Sequence, residues 1–168
     1  MRAAAFGAQF RLAFAVALAL AGARLAVTDA AAFELSVFEI EIPSGATAEA
    51  PVKSADARGL VALQMSVRFD GAAFEVGGVR AGPALSSALV DFRTGSGVCK
   101  IAVAGSQPIA EDGDLLMIAF RRKDGSTAGS VVDLTDVHAW TADGEAMAVA
   151  TRSGAIAALA ARPGSGGR

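Results

Sequence analysis

Few residues in this chain could do chemistry. Its 168 residues include one cysteine (Cys99), one histidine (His138), one tryptophan (Trp140) and no tyrosine. Nucleophilic catalysis needs a thiol or hydroxyl activated by a neighbouring base, and a structural zinc needs four Cys or His ligands. One Cys and one His exclude every zinc site built from clusters of those residues, and most routes to a covalent intermediate. The carboxylates offer two candidates. Glu39 and Glu41 lie two apart, so on a strand they share a face and could mimic the carboxylate pair of a glycosidase. Glu111, Asp112 and Asp114 surround Gly113. Calcium, however, takes six to eight oxygens, and the repeating pattern of a calcium-binding loop is absent. The plainer readings are solvated charges near a sheet edge for Glu39 and Glu41, a hairpin turn for the acidic cluster, and a surface strand histidine for His138. We expect no catalytic residue, no metal ligand and no cofactor.

Binding is better served than catalysis. Exposed Trp and Tyr rings stack on sugars, but a single ring seldom makes a polysaccharide platform, and the phenylalanines fall mostly at inward positions. Trp140 either caps the end of the fold beside the Asp143-Gly144 turn or sits at a partner interface. It is the one candidate carbohydrate contact.

Strands must position these side chains. Leu63, Met65, Val67 and Phe69 alternate with Gln64, Ser66 and Arg68, which describes a strand with one buried face. Cys99, Ile101 and Val103 alternate with Lys100 and Ala102, and Leu116, Ile118 and Phe120 with Met117, Ala119 and Arg121. Cys99 is therefore expected inside rather than as a reactive thiol. Phe33, Leu35 and Val37 hold one phase, while Phe38, Ile40 and Ile42 hold the other. A one-residue shift turns every side chain over, so a bulge or a change of sheet is expected at Val37-Phe38. Asp-Gly pairs at 70–71, 112–113, 124–125 and 143–144, with Gly95-Ser96-Gly97, supply the left-handed backbone that tight hairpins need. Many short strands at this spacing predict an all-β sandwich.

Length suits one domain. The formal net charge of −2 leaves no electrostatic footprint for nucleic acid. Arg2 and Arg11, the apolar run Leu12 to Leu20 and Ala21-Gly22-Ala23 read as a secretory signal over 1–23, too short an apolar run to span a membrane. Ala30-Ala31-Ala32 would also serve as the cleavage site. Removing Arg2 and Arg11 lowers the 15 basic residues to 13 against 17 acidic ones, a net charge of −4. The sandwich then occupies 24–160, and 161–168 is a flexible Gly/Ser/Arg tail. The mature protein is expected to be secreted, with no membrane span.

The stretch Gly59-Leu60-Val61-Ala62-Leu63-Gln64-Met65-Ser66-Val67-Arg68-Phe69-Asp70 resembles the third-strand signature of cohesin domains. Phe74 to Val76, Val98 to Ser106, Asp112 to Phe120, Val131 to Trp140 and Ser153 to Ile156 follow in the family's order, so the likeness covers about Phe33 to Leu159. The resemblance implies a jelly-roll β-sandwich of about nine strands that binds a dockerin, a small calcium-loaded helical module borne by polysaccharide-degrading enzymes of the cellulosome. It puts the partner on the third, fifth, sixth and eighth strands. The outward positions there are Ala62, Gln64 and Ser66, then Leu89 and Asp91, then Ala102, Ala104, Ser106 and Gln107. The family's dockerin binders place Asn and Asp where this chain has Ala62 and Gln64, and a carboxylate near Gly105. Without those acceptors a partner's donors make fewer charge-assisted bonds. Affinity should then come mainly from apolar burial and fall only modestly as salt rises. A carbohydrate-binding or cell-surface adhesion module on the same fold is the alternative.

Overall fold

The computed structural model describes residues 32–159. The expected signal segment and the tail at 161–168 lie outside the described residues. The alternating runs form eleven strands: β1 (Phe33–Val37), β2 (Ile40–Pro43), β3 (Thr47–Ala55), β4 (Leu60–Arg68), β5 (Phe74–Ala81), β6 (Leu89–Gly95), β7 (Val98–Ala104), β8 (Gly113–Arg122), β9 (Ser130–Thr141), β10 (Val149–Arg152) and β11 (Gly154–Leu159). They build a five-stranded sheet in the order β10-β1-β3-β8-β5 and a six-stranded sheet in the order β2-β11-β9-β4-β7-β6. No described helix is long and apolar enough to cross a membrane.

Between the sheets lies the core that the alternation foretold. Leu63, Met65 and Val67 of β4, Cys99, Ile101 and Val103 of β7, and Leu116, Ile118 and Phe120 of β8 are all buried. Phe69 is half-buried and meets Phe120 edge-on, with ring centroids 5.4 Å apart, the arrangement the ring quadrupoles favour. Burial pushes the Cys99 thiol up to about 11, which leaves almost no thiolate at neutral pH and makes the group inert.

The count of about nine strands needs correcting to eleven, and the reason is the phase shift at Val37-Phe38. There the chain leaves the five-stranded sheet as β1 and enters the six-stranded sheet as β2. Its parallel partner does the same at Ser153, so that Phe33–Val37 runs beside β10 and Ile40–Pro43 beside β11. Counting each split ribbon once restores nine runs. Phe38 sits in the crossing and is 45% exposed, with the Lys53 ammonium 4.4 Å over its ring. It is therefore not on the core face with Ile42. The two ribbons cross so closely that a Cβ on Gly154 would stand 2.5 Å from the Val37 carbonyl oxygen. Gly154→Ala is expected to destabilise the fold by roughly 1–3 kcal/mol, as overpacking does, read as a lower urea midpoint.

Turn chemistry was legible but its destination was not. Gly95-Ser96-Gly97 does close a true hairpin between β6 and β7. Asp143-Gly144 closes a short reversal in which Trp140 pairs with Ala146. The other three Asp-Gly pairs carry the chain from one sheet to the other, because β4 and β5, β7 and β8, and β8 and β9 lie in different sheets. The acidic cluster is thus a corner and not a hairpin. Asp112 Oδ1 accepts the Ala57 N–H at 3.1 Å, and Asp114 pairs with Lys53 at 3.6 Å.

One buried cation ties the sheets together. Arg122, 3% exposed at the end of β8, donates to the carbonyls of Ile42 on β2 at 3.1 Å and Leu159 on β11 at 2.6 Å, and to that of Ser126. Its fork of donors suits several fixed carbonyls at once.

Candidate functional site

The outer faces of the two sheets treat charge differently. On the five-stranded sheet, opposite charges close across neighbouring or next-neighbouring strands: Lys53 with Asp114, Arg121 with Glu75 at 3.2 Å, Arg152 with Glu34 at 2.9 Å, and Arg80 with Glu49. The Arg80 guanidinium donates Nε–H to Glu49 at 2.9 Å and holds that carboxyl below its ordinary value. Such exposed pairs add little stability, but they leave this face with its charges answered. On the six-stranded sheet, Arg68, Arg93, Lys100 and Asp91 form no ion pair among the described residues.

Register arranges that second face in rows. In antiparallel pairs, residues opposite each other project on the same side. Leu89 faces Ala104, Ala104 faces Ala62, and Ala62 faces Trp140, which makes one apolar row across β6, β7, β4 and β9. The next row is Asp91, Ala102, Gln64 and His138. The third is Arg93, Lys100, Ser66 and Thr135, and beyond it Arg68 stands opposite Asp133. Successive rows are about 6.6 Å apart along the strands.

Most of the residues expected on this face are available. Gln64, Asp91, Ala102 and Ala104 are exposed, Leu89 is 80% exposed, and Ala62 is half-buried. Gln64, Asp91, Arg93, Lys100 and Ala102 border a shallow depression of about 150 Å³. Ser106 and Gln107 are exposed in the loop after β7, which folds back along β4 through Gly105 N–H to the Val61 carbonyl at 2.7 Å and Ile109 N–H to the Leu60 carbonyl at 2.9 Å. Ser66 is the exception. It projects outward but is only 5% exposed, because a short hydroxyl on a central strand lies lower than Gln64, Arg68, Lys100 and Thr135 around it.

Trp140 joins the face through a bulge. Val132 and Leu134 of β9 point inward, yet Ala139 does so too, so the alternation inverts between them. One extra residue enters β9 where Gln64 pairs with His138 and Ser66 with Thr135, and Asp136 takes a φ of 51°. The inversion brings His138 and Trp140 outward, their rings stacked with centroids 6.0 Å apart and planes at 24°. Sequence reasoning missed His138, Arg93 and Lys100 as members of this face. The alternation in β6 and β7 could have found the two cations.

A family model for the cohesin domain matches residues 33–158. The chain belongs to the cohesin family. No curated protein matches it in sequence. Among solved structures, this cohesin is similar to a non-cellulosomal cohesin of the archaeon Archaeoglobus fulgidus, at 23% identity and a TM-score of 0.69 over 77% of this chain and 93% of that one. It is also similar to the sixth cohesin of Acetivibrio cellulolyticus scaffoldin B, solved in complex with the Cel5 dockerin, at 18% identity and a TM-score of 0.67 over 76% and 99%. A third is the OlpA cohesin of Clostridium thermocellum in complex with dockerin Doc918, at 15% identity and a TM-score of 0.68 over 76% and 99%. At these identities the likeness is one of fold. With split ribbons counted once, β4, β6, β7 and β9 are the third, fifth, sixth and eighth runs of this cohesin. They lie side by side as β9-β4-β7-β6.

Proposed function

We propose that this cohesin is a secreted, non-catalytic module that docks a dockerin-like protein on the outer face of its six-stranded sheet, in the service of polysaccharide degradation. The observation that carries the reading is the contiguity of β9, β4, β7 and β6, whose outward rows hold Ala62, Ala102 and Ala104 at their centre and whose cations Arg68, Arg93 and Lys100 form no ion pair among the described residues. A flat face of alanines lets a helical partner approach closely, and unanswered charges keep such a face solvated until a partner arrives. Two similar cohesins were solved with dockerins bound, which supports the same use here. Calorimetric titration with a panel of dockerin modules tests it, and failure of every module to bind refutes it.

Export belongs to the proposal on the strength of the N-terminal residues alone. Mass spectrometry of the exported protein is expected to find a chain beginning after Ala23 or Ala32, and an intact Met1 overturns this.

The alternative of a carbohydrate-binding or adhesion module gains one specific support. The stacked His138 and Trp140 offer an outward aromatic surface next to Ala62. Glycan affinity electrophoresis tests it: retardation that Trp140→Ala abolishes would favour sugar over protein.

A further inference from the structure

We infer that the docking face is apolar at one end and cationic at the other, and selects a helix carrying an apolar side chain at one end and carboxylates about two turns away. The inference rests on the dockerin-like reading for the face itself and adds the chemistry of the partner. The first row, Leu89, Ala104, Ala62 and Trp140, holds no charged group. The third holds Arg93 and Lys100 side by side in register, with Arg68 one row further on, and all three are exposed. None has a carboxylate partner among the described residues, although four other cations of the molecule do. Arg68 Nε–H reaches only the Thr135 hydroxyl, at 3.4 Å. Three carboxylates stand on or beside the face, and one of them, Asp136 at the bulge, accepts the Thr135 hydroxyl at 3.5 Å and forms no ion pair among the described residues. Asp91 stands in the row between, and Asp133, opposite Arg68, accepts the Ser153 hydroxyl.

Like charges placed directly opposite on neighbouring strands repel. Arg93 and Lys100 are such a pair, so carboxylates brought to them relieve repulsion as well as adding attraction. The cationic row adds an electrostatic part to the apolar burial expected from the small residues, so affinity should fall more steeply with salt than the modest dependence those residues alone implied.

Geometry fixes the spacing. First and third rows are four residues apart along the strands, about 13 Å. A helix rises about 1.5 Å per residue, so a helix laid along the strands covers that distance in roughly eight or nine residues. A leucine at position i and glutamates at i+7 and i+8, about 10.5 and 12 Å further along the axis, lie on one helix face, and the length of the side chains covers the small remainder to the third row.

Two capped helical peptides test this against the full isotope-labelled protein by NMR titration. They are identical except for Glu or Lys at i+7 and i+8. The Glu peptide is expected to shift the amides of β4, β6, β7 and β9 and to bind at least tenfold more tightly than the Lys peptide. In the Lys100→Glu, Arg93→Glu double variant the preference should reverse, a gain of Lys-peptide binding that misfolding cannot produce. Equal binding of both peptides on these strands overturns the charge assignment and leaves the docking face standing. Shifts confined to other strands refute the face itself. No shift with either peptide overturns the inference, and the dockerin panel then decides the broader reading separately. Shifts of the same rows on raising the protein concentration alone would assign the face to a second copy and also overturn it.

Discussion

Placing arginine at Ala102 is expected to abolish dockerin binding, weakening it at least 100-fold, while leaving the fold intact. Ala102 stands in the middle row between Asp91 and Gln64, on a strand flanked on both sides, and its side chain is exposed. An exposed strand position tolerates a longer side chain within about 0.5 kcal/mol. A partner helix does not tolerate it, because close packing at the centre of an interface is where a few residues carry most of the binding energy. A 100-fold loss corresponds to about 2.7 kcal/mol, well within the reach of one steric block. Circular dichroism should show an unchanged melting curve, and calorimetry should show no heat with a dockerin that binds the parent protein. Ala102→Ser separates volume from chemistry and should bind nearly as the parent does. A dockerin that binds the Ala102→Arg protein with unchanged affinity would show that docking happens elsewhere.

Truncating Phe120 to alanine should lower the unfolding free energy by about 3–5 kcal/mol, the range for large aromatic-to-alanine changes in a core. Phe120 is fully buried on β8, a strand paired on both sides, and its ring receives Phe69 edge-on. Truncation removes the transfer free energy of the ring and also leaves a cavity that the sheets on either side cannot collapse to fill. Gln64→Ala, on the exposed face of β4, should change stability by no more than about 0.5 kcal/mol. Chemical denaturation of the two variants in parallel makes the comparison, and equal losses would mean that the inward and outward phases had been exchanged.

How much of this was legible in the chain can be judged residue by residue. Period-two alternation placed Met65, Val67, Phe69, Ile101, Val103, Ile118 and Phe120 inside, because one buried face per strand is a local demand that each strand's own residues must meet. All but Phe69, which is half-buried against the core, are buried. It also marked Val37-Phe38 as a point where the chain turns over, since a phase shift is visible without knowing the partner strand. Ser66 owes its burial to other strands. Its outward phase was right, but its accessibility depends on the lengths of neighbours that come from other strands.

Tertiary structure alone decided three things. Asp-Gly signals announced that the chain bends but not which sheet receives it, since the same left-handed backbone serves a hairpin and a corner between sheets. Position on the face of Trp140 followed from the bulge at Asp136, which a strand accepts only when its partner's register requires an extra residue. The rows themselves, apolar at Leu89 to Trp140 and cationic at Arg93 and Lys100, exist only because residues as far apart in the chain as Ala62 and Trp140 are brought opposite one another by pairing. Alternation is written in each strand separately; register belongs to pairs of strands, and the binding face is a property of register.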